Sequence, residues 1–134
     1  MLFDYLLNFS RTLLTNIYFY KPIIILKQKT MALEITDKNL NEVLAQNEIA
    51  VVDFWAEWCG PCRMMGPVID QLASEEEDVS VGKLNVDGNP ESSLKFMVSS
   101  IPTIIFFKNG EEVKRIKGVT SKSALKAQIA ELKS

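Results

Sequence analysis

The two cysteines of the chain, Cys59 and Cys62, are separated by two residues in the run Trp58-Cys59-Gly60-Pro61-Cys62. A spacing of three is about one helical turn, so the two sulfur atoms can reach each other. The pair can therefore open to a dithiol and close to a disulfide. A loop over two residues removes little entropy from the unfolded chain, which disfavours a purely structural disulfide. The spacing favours redox chemistry.

Asp53 is a further candidate for a chemical role, because it interrupts the apolar run Ile49 to Trp55. Burial of a carboxyl group raises its pKa, by about 3 to 5 units in extreme cases. We expect Asp53 to accept the proton of Cys62, directly or through a water, rather than to serve structure alone. Lys83 is equally consistent with a solvated strand residue and with a charge partner for Asp53.

The composition excludes several other chemistries. Histidine is absent from the sequence, which removes Cys-His nucleophiles, Ser-His-Asp triads and Cys/His zinc sites. Two cysteines supply at most half of a four-thiolate metal site. The formal net charge is only −2, and residues 31–134 contain no basic cluster. We therefore expect no metal, no cofactor and no nucleic-acid partner.

The segments on either side of the cysteines must position them. The run Ile49 to Trp55 predicts a buried strand, and apolar residues recur at helical spacing over 64–72. The cysteines thus lie at a strand-to-helix junction, where unpaired N–H groups and a partial positive charge stabilise a thiolate at Cys59. Pro61 fits the first helical turn, and Gly60 leaves the approach to Cys59 open.

The remaining elements also alternate. Upstream, the sequence predicts a short strand at Leu33 to Ile35 and a helix that is capped by Thr36 or Asp37 and ends near Asn47. Downstream, it predicts a strand over 79–86 and then a helix begun by Asn89-Pro90, with a narrow apolar face of Leu94, Met97 and Val98. A strand over 103–107, a hairpin turn over 108–111 and an edge strand over 112–117 follow. The last predicted element is a helix capped by Thr120 or Ser121. This order predicts an α/β layer fold with a mixed sheet.

Residues 1–30 differ in composition from the rest. They hold Arg11, three lysines and one acidic residue, and their uncharged runs are far shorter than the roughly 20 apolar residues of a membrane span. We interpret them as an extension outside the fold, of the kind that a mis-set translation start produces, with a targeting or membrane-associated leader or a structured addition as alternatives. Residues 31–134 form the predicted domain. Their formal charge of about −5 suits a cytoplasmic protein.

The stretch from Val52 to Cys62 closely resembles the active-site stretch of the thioredoxin family. Two departures are small, since Ser100 stands where a glycine is common and Arg63 where a lysine is common. The resemblance covers residues 33–134 through further matching positions, which are Pro67, Lys83-Leu84-Asn85, Asp87, Asn89-Pro90, Ile101-Pro102-Thr103, Phe107-Lys108-Asn109-Gly110 and Gly118.

This resemblance implies a thioredoxin fold, with a central mixed five-stranded sheet flanked by helices on both faces. It also implies a protein-disulfide reductase in which Cys59 is the nucleophile, Cys62 resolves the mixed disulfide, and the two form the disulfide of the oxidised state. The Ile101-Pro102 peptide would be cis and would face the cysteines. An apolar docking surface would bind disulfide-containing substrate proteins through Trp58, Gly60, Pro61, Ile101, Pro102 and Gly118.

The family further implies a monomer that a thioredoxin reductase returns to the dithiol form. Two other functions stay open from the sequence. One is an oxidase or isomerase of an exported compartment, because location sets the direction of exchange as much as sequence does. The other is a non-catalytic binding module, against which the presence of both cysteines together with Asp53 argues.

Overall fold

The structure is a computed structural model that describes residues 31–134, so the predictions for residues 1–30 lie outside the described part of the chain. Nine elements follow one another: β1 (Leu33–Ile35), α1 (Leu40–Gln46), β2 (Ile49–Trp55), α2 (Gly60–Glu75), β3 (Ser80–Asn85), α3 (Pro90–Lys95), β4 (Thr103–Lys108), β5 (Glu111–Lys117) and α4 (Lys122–Lys133).

The five strands form one mixed sheet in the order β1-β3-β2-β4-β5. Strands β1, β3 and β2 run parallel, whereas β4 and β5 are antiparallel to their neighbours. The central strand β2 is covered on both faces, which explains its nearly continuous apolar sequence. The predicted five-stranded mixed sheet is therefore confirmed.

Helices cover both faces of the sheet, each over its own apolar core. Under α2 and α4, the core contains Val51 of β2 with Ile69 and Leu125 of the helices. Under α1, the opposite core contains Phe54 of β2 with Leu44. Alternate residues of β2 thus enter the two cores, because successive side chains of a strand point to opposite faces.

The turn between β4 and β5 is the two-residue hairpin that the sequence predicted. Asn109 and Gly110 have φ angles of 51° and 82°. Positive φ at both central residues is the requirement of a type I′ turn, which Asn-Gly satisfies with little strain. The last helix also begins as predicted, since Ser121 Oγ accepts a hydrogen bond from the Ala124 N–H at 3.2 Å.

Two local predictions were wrong. Neither Thr36 nor Asp37 caps α1, whose N-cap is Asn39 without a side-chain hydrogen bond. Asp37 instead accepts hydrogen bonds from the backbone N–H groups of Glu91 (3.2 Å) and Ser92 (2.8 Å) in the first turn of α3. A carboxylate at a helix start satisfies otherwise unpaired donors, and here it links two distant segments.

Helix α3 also lacks the buried apolar face that was predicted for it. Leu94 and Met97 are 79% and 78% exposed. The helix ends at Lys95, and Met97 lies beyond it with a positive φ of 50°, so the helical spacing on which the prediction rested does not continue. Within residues 31–134, none of the helices is long and apolar enough to cross a membrane.

Candidate active site

The two cysteines lie where β2 gives way to α2, and they are joined as a disulfide with their Cα atoms 5.3 Å apart. Cys59 is the N-cap residue of α2, and its sulfur accepts a hydrogen bond from the Cys62 backbone N–H at 3.2 Å. Pro61 occupies the first turn of the helix, where no N–H donor is needed. The predicted strand-to-helix junction is thus confirmed.

Cys59 and Cys62 are buried to a similar extent in the disulfide form. Cys59 is 5% exposed and Cys62 is 3% exposed. The neighbours of Cys59 differ from it, since Gly60 and Pro61 are exposed. A Cβ atom built on Gly60 would meet nothing within 4 Å, which leaves the approach to this corner open.

The loop before β4 faces the disulfide. The Ile101 carbonyl oxygen lies 3.8 Å from Cys59 Sγ, and the Ile101-Pro102 peptide is cis, as the resemblance implied. Ile101 is half-buried, while the Pro102 side chain is buried. Gly118, with a φ of 85°, donates its N–H to the Pro102 carbonyl at 2.8 Å and so ties the end of β5 to this loop.

Trp58 lies on the rim of the site and is 69% exposed. Its Nε1–H donates to Asp87 Oδ2 at 3.0 Å, which fixes the indole although most of its surface is in contact with solvent. This contact of Asp87 was not predicted from the sequence, where Asp87 is only a position that matches the family. An open groove of about 400 Å³ runs from Trp58 to Ile101 and is lined between them by Val86, Val98, Ser99 and Ser100.

Asp53 is buried in β2, with 1% of its surface exposed. Its Oδ1 atom has no hydrogen-bond partner among residues 31–134. Burial raises the pKa of the Asp53 carboxyl from its ordinary value of 3.8 to about 7, and the ammonium of Lys83 acts in the opposite direction. The protonated and ionised forms are therefore both populated near neutral pH.

Lys83 is placed next to Asp53 in the sheet but is paired elsewhere. The two residues are partners in the register of β2 and β3. Lys83 Nζ forms an ion pair with Asp70 Oδ2 of α2 at 2.8 Å, with both side chains partly exposed. Asp70 also accepts the Ala32 N–H at 3.2 Å. Asp70 was not predicted as a partner of Lys83, because no sequence pattern shows which residue of α2 overlies β3.

The arrangement can carry out two-electron thiol chemistry without a metal or cofactor. The cysteine pair lies at the start of α2, and Cys59 is next to Ile101, which lines one end of the open groove. The buried carboxyl of Asp53, with its raised pKa, lies in β2, the strand that leads to the cysteine pair. Among residues 31–134, no group of three histidine, cysteine or acidic residues is placed to hold a metal ion. Fold and site define a thiol-disulfide oxidoreductase.

Comparison with known proteins agrees with this class. The sequence profile of the family described as Thioredoxin matches residues 31–131. A protein named Thioredoxin from Mycobacterium tuberculosis is 45% identical over 107 residues, which are 78% of this chain and 92% of that one. The bifunctional thioredoxin reductase/thioredoxin of Mycobacterium leprae is 44% identical over 108 residues, which are 79% of this chain and 24% of the fusion.

A solved structure of a mutant thioredoxin from Halobacterium salinarum has the same fold. It superposes with a TM-score of 0.74 at 33% identity, over 80% of this chain and 95% of the other. The chain belongs to the thioredoxin family. The predicted family, fold and activity as a protein-disulfide reductase are confirmed.

Proposed function

We propose that the chain reduces protein disulfides through two successive exchanges, in which Cys59 attacks and Cys62 resolves. The observation that carries this order is the 3.2 Å hydrogen bond from the Cys62 N–H to Cys59 Sγ at the first turn of α2. In the dithiol form, this donor and the positive end of the helix both favour a thiolate at Cys59. The sulfur of Cys62 has no corresponding position at the helix start.

Atoms and electrons balance over the two exchanges. The Cys59 thiolate attacks one sulfur of the substrate disulfide, the substrate S–S bond breaks, and its second sulfur leaves as a thiolate that takes a proton. Cys62 then loses its proton and attacks Cys59 Sγ, which breaks the mixed disulfide and releases the other substrate sulfur as a thiolate. The substrate has gained two electrons, and this chain ends with the Cys59–Cys62 bond.

Asp53 is the proposed acceptor of the Cys62 proton. A base works best when its pKa lies near the working pH, and burial brings the pKa of Asp53 to about 7. Its Oδ1 atom has no competing hydrogen-bond partner among the described residues. The proton reaches it directly or through one water.

The groove between Trp58 and Ile101 is the proposed docking surface. An extended substrate chain would pair with the backbone of Ile101, beside the Cys59 sulfur, in the manner of an added strand. Trp58, Gly60 and Pro61 would contact it on one side, and the loop of Pro102 with Gly118 on the other. Exposed aromatic residues such as Trp58 commonly anchor a partner.

The proposed reductant of the oxidised pair is a thioredoxin reductase, and the proposed location is the cytoplasm. The relative from Mycobacterium leprae, which by its name joins both activities in one chain, supports this partner. The charge of about −5 on residues 31–134 supports the location. Reduction of the purified protein by a thioredoxin reductase with NADPH, and fractionation of the native cells, test these two points.

The order of attack is tested by trapping. Cys62→Ser should accumulate mixed disulfides with disulfide-containing substrate proteins, whereas Cys59→Ser should form none and should lower insulin reduction on the order of a thousandfold or more. Mass spectrometry of the trapped complexes identifies the bonded cysteine. Complexes through Cys62 in the Cys59→Ser variant would reverse the assignment.

An equilibrium titration against glutathione tests the direction of exchange. A strongly reducing midpoint for the Cys59–Cys62 pair is the expected result, because a reductase must give electrons to substrate disulfides. A midpoint close to that of glutathione would instead support the oxidase or isomerase. Retention of substrate binding without turnover in the wild-type chain would support the binding module.

A further inference from the structure

Lys83 has the position of a counter-ion for Asp53 but not the contact. The two residues are partners in neighbouring parallel strands, which lie about 4.8 Å apart, and their side chains therefore emerge on the same face. An ammonium group beside a buried carboxylate would stabilise its ionised form strongly. Instead, the Nζ atom of Lys83 lies 2.8 Å from Asp70 Oδ2.

The helix above the sheet shows where the Lys83 side chain goes. Cys62, Gly66 and Asp70 follow one another at intervals of four in α2, so they share one face of the helix. A Cβ atom built on Gly66 would lie 3.9 Å from Lys83 Nζ. The ammonium thus lies beneath Gly66. Along α2, Gly66 is one turn from Cys62 and one turn from Asp70.

Few other charged or titratable groups face Asp53 from the elements packed against it. Strand β4 presents Ile104 opposite Asp53, and β1 presents Glu34 beside Lys83. Helix α2 contains Asp70 and Cys62, Cys59 is its N-cap residue, and the loop after β2 carries Glu57. An open cavity of about 360 Å³ is lined by Glu34, Glu57, Asp70 and Lys83, with Trp55 beside them.

We propose that Asp70 is a positioning residue for the exchange reaction, which holds the Lys83 ammonium at this cavity and away from Asp53, so that Asp53 stays basic enough to accept the Cys62 proton. The proposal rests on the proposed role of Asp53. Asp70 itself touches none of the reacting atoms.

The physical reason is a competition between two carboxylates for one ammonium. Asp70 is partly exposed to solvent, whereas Asp53 is buried and has an Oδ1 atom without a partner among residues 31–134. While Asp70 binds Lys83, its carboxylate holds the ammonium and offsets part of the effect of that positive charge on Asp53. Without Asp70, the full charge of Lys83 would be free to approach Asp53 and would lower its proton affinity.

The test measures the Asp53 titration directly, by carboxyl 13C NMR of the oxidised full-length chain, in which the bonded cysteines do not titrate. Asp70→Asn should lower the Asp53 midpoint by about 1 pH unit, because an unneutralised cation comes closer to the carboxyl. Asparagine retains an oxygen that can accept the Ala32 N–H. Asp70→Glu, which keeps the charge, should stay near the wild-type midpoint.

Two controls separate this effect from a change in overall charge or fold. Glu77→Gln removes one negative charge from an exposed position and should leave the midpoint unchanged. Lys83→Met should raise the midpoint, and in that background Asp70→Asn should shift it by less than half as much as in the wild type. An equal shift with and without Lys83, or no shift on Asp70→Asn, would overturn the proposal.

A kinetic arm separates this proposal from the role of Asp53 itself. In single-turnover reduction of a disulfide substrate, Asp70→Asn should move the pH profile of the second exchange to lower pH by the same interval as the NMR midpoint, and Asp53→Asn should abolish that pH dependence. If Asp53→Asn abolishes it while Asp70→Asn leaves both measurements unmoved, Asp70 has no positioning role and Asp53 keeps its own. If Asp53→Asn leaves the profile intact, the role of Asp53 fails, and the positioning role of Asp70 in the reaction fails with it.

Discussion

The two faces of β2 contribute to the protein in different ways. Ala50, Val52 and Phe54 enter the core under α1, which is made of apolar side chains. On the face under α2, the same alternation places Asp53 beyond Val51, and Asp53 is the one charged residue among the buried residues of 31–134. The face without charge stabilises the fold at every pH. The face with Asp53 contributes less stability as pH rises, but it contains a group that can exchange a proton.

The largest effect is expected from a deletion on the uncharged face. Phe54 is fully buried, and its ring lies 6.3 Å from that of Phe96 in an edge-on contact. Phe54→Ala should lower the free energy of unfolding by about 3 to 5 kcal/mol, through lost burial and the cavity that remains. Denaturant unfolding at pH 5 and pH 8 should give the same loss, and Phe54→Leu a smaller one. A loss that changes with pH would show that the two faces are not independent.

The charged face should show the opposite behaviour. The folded-state pKa of Asp53, about 7, lies above its ordinary value of 3.8, so this group favours folding at acid pH and loses that contribution as pH rises through 7. At about 1.36 kcal/mol per pKa unit, the loss is about 4 kcal/mol. The difference in unfolding free energy between Asp53→Asn and the wild type should therefore change by about 4 kcal/mol, in favour of the variant, from pH 4 to pH 8.

Denaturant melts of the oxidised forms at several pH values measure this difference. Asparagine keeps the size of the side chain, so a change with pH reports the ionisation and not the packing. A difference that is constant from pH 4 to pH 8 would contradict the raised pKa.

A smaller effect is expected at Gly82, where the uncharged face leaves no room for a side chain. A Cβ atom on Gly82 of β3 would lie 2.3 Å from Ile35 Cδ1 and 2.8 Å from the Leu33 carbonyl oxygen. Gly82→Ala should destabilise the protein by about 1 to 3 kcal/mol at every pH, because the backbone of β1 must move. Gly88→Ala, where a Cβ would meet nothing within 4 Å, is the matched control. Equal melting temperatures for the two variants would show that β1 yields freely.

The smallest effect is expected from removal of residues 1–30. If residues 31–134 are the complete domain, both faces should be unaffected, and the free energy of unfolding should change by less than about 0.5 kcal/mol. Thermal melts and insulin reduction of the chain that begins at Met31 test this. A loss confined to one pH range would indicate that the extension contacts the charged face.

The sequence was sufficient for those features that depend on local patterns. The run Ile49 to Trp55 predicted the central strand, and Asn109-Gly110 predicted the hairpin because few residue pairs accept two positive φ angles. The spacing of Cys59 and Cys62 predicted the bonded pair at the start of α2.

Features that depend on contacts between distant segments were not predictable. Asp37 bonds to the start of α3 across more than fifty residues, and Asp70 takes the lysine that sequence reasoning offered to Asp53. Both contacts join segments that are distant in the sequence, so only the packing of the folded chain decides which partner each carboxylate meets. The exposure of Leu94 and Met97 follows in the same way from where α3 stops.

The sequence of the outer strand β5 affects whether substrate chains can pair with the edge of the sheet. Five of its seven residues are charged, in the sequence Glu-Glu-Val-Lys-Arg-Ile-Lys, and a bulge interrupts its pairing with β4. Charged and irregular edges prevent a sheet from recruiting further strands. A protein-disulfide reductase acts on other protein chains, and an extended segment of such a chain can pair with a regular, uncharged sheet edge. The charges and the irregular pairing of β5 therefore disfavour the addition of another chain at this edge of the sheet.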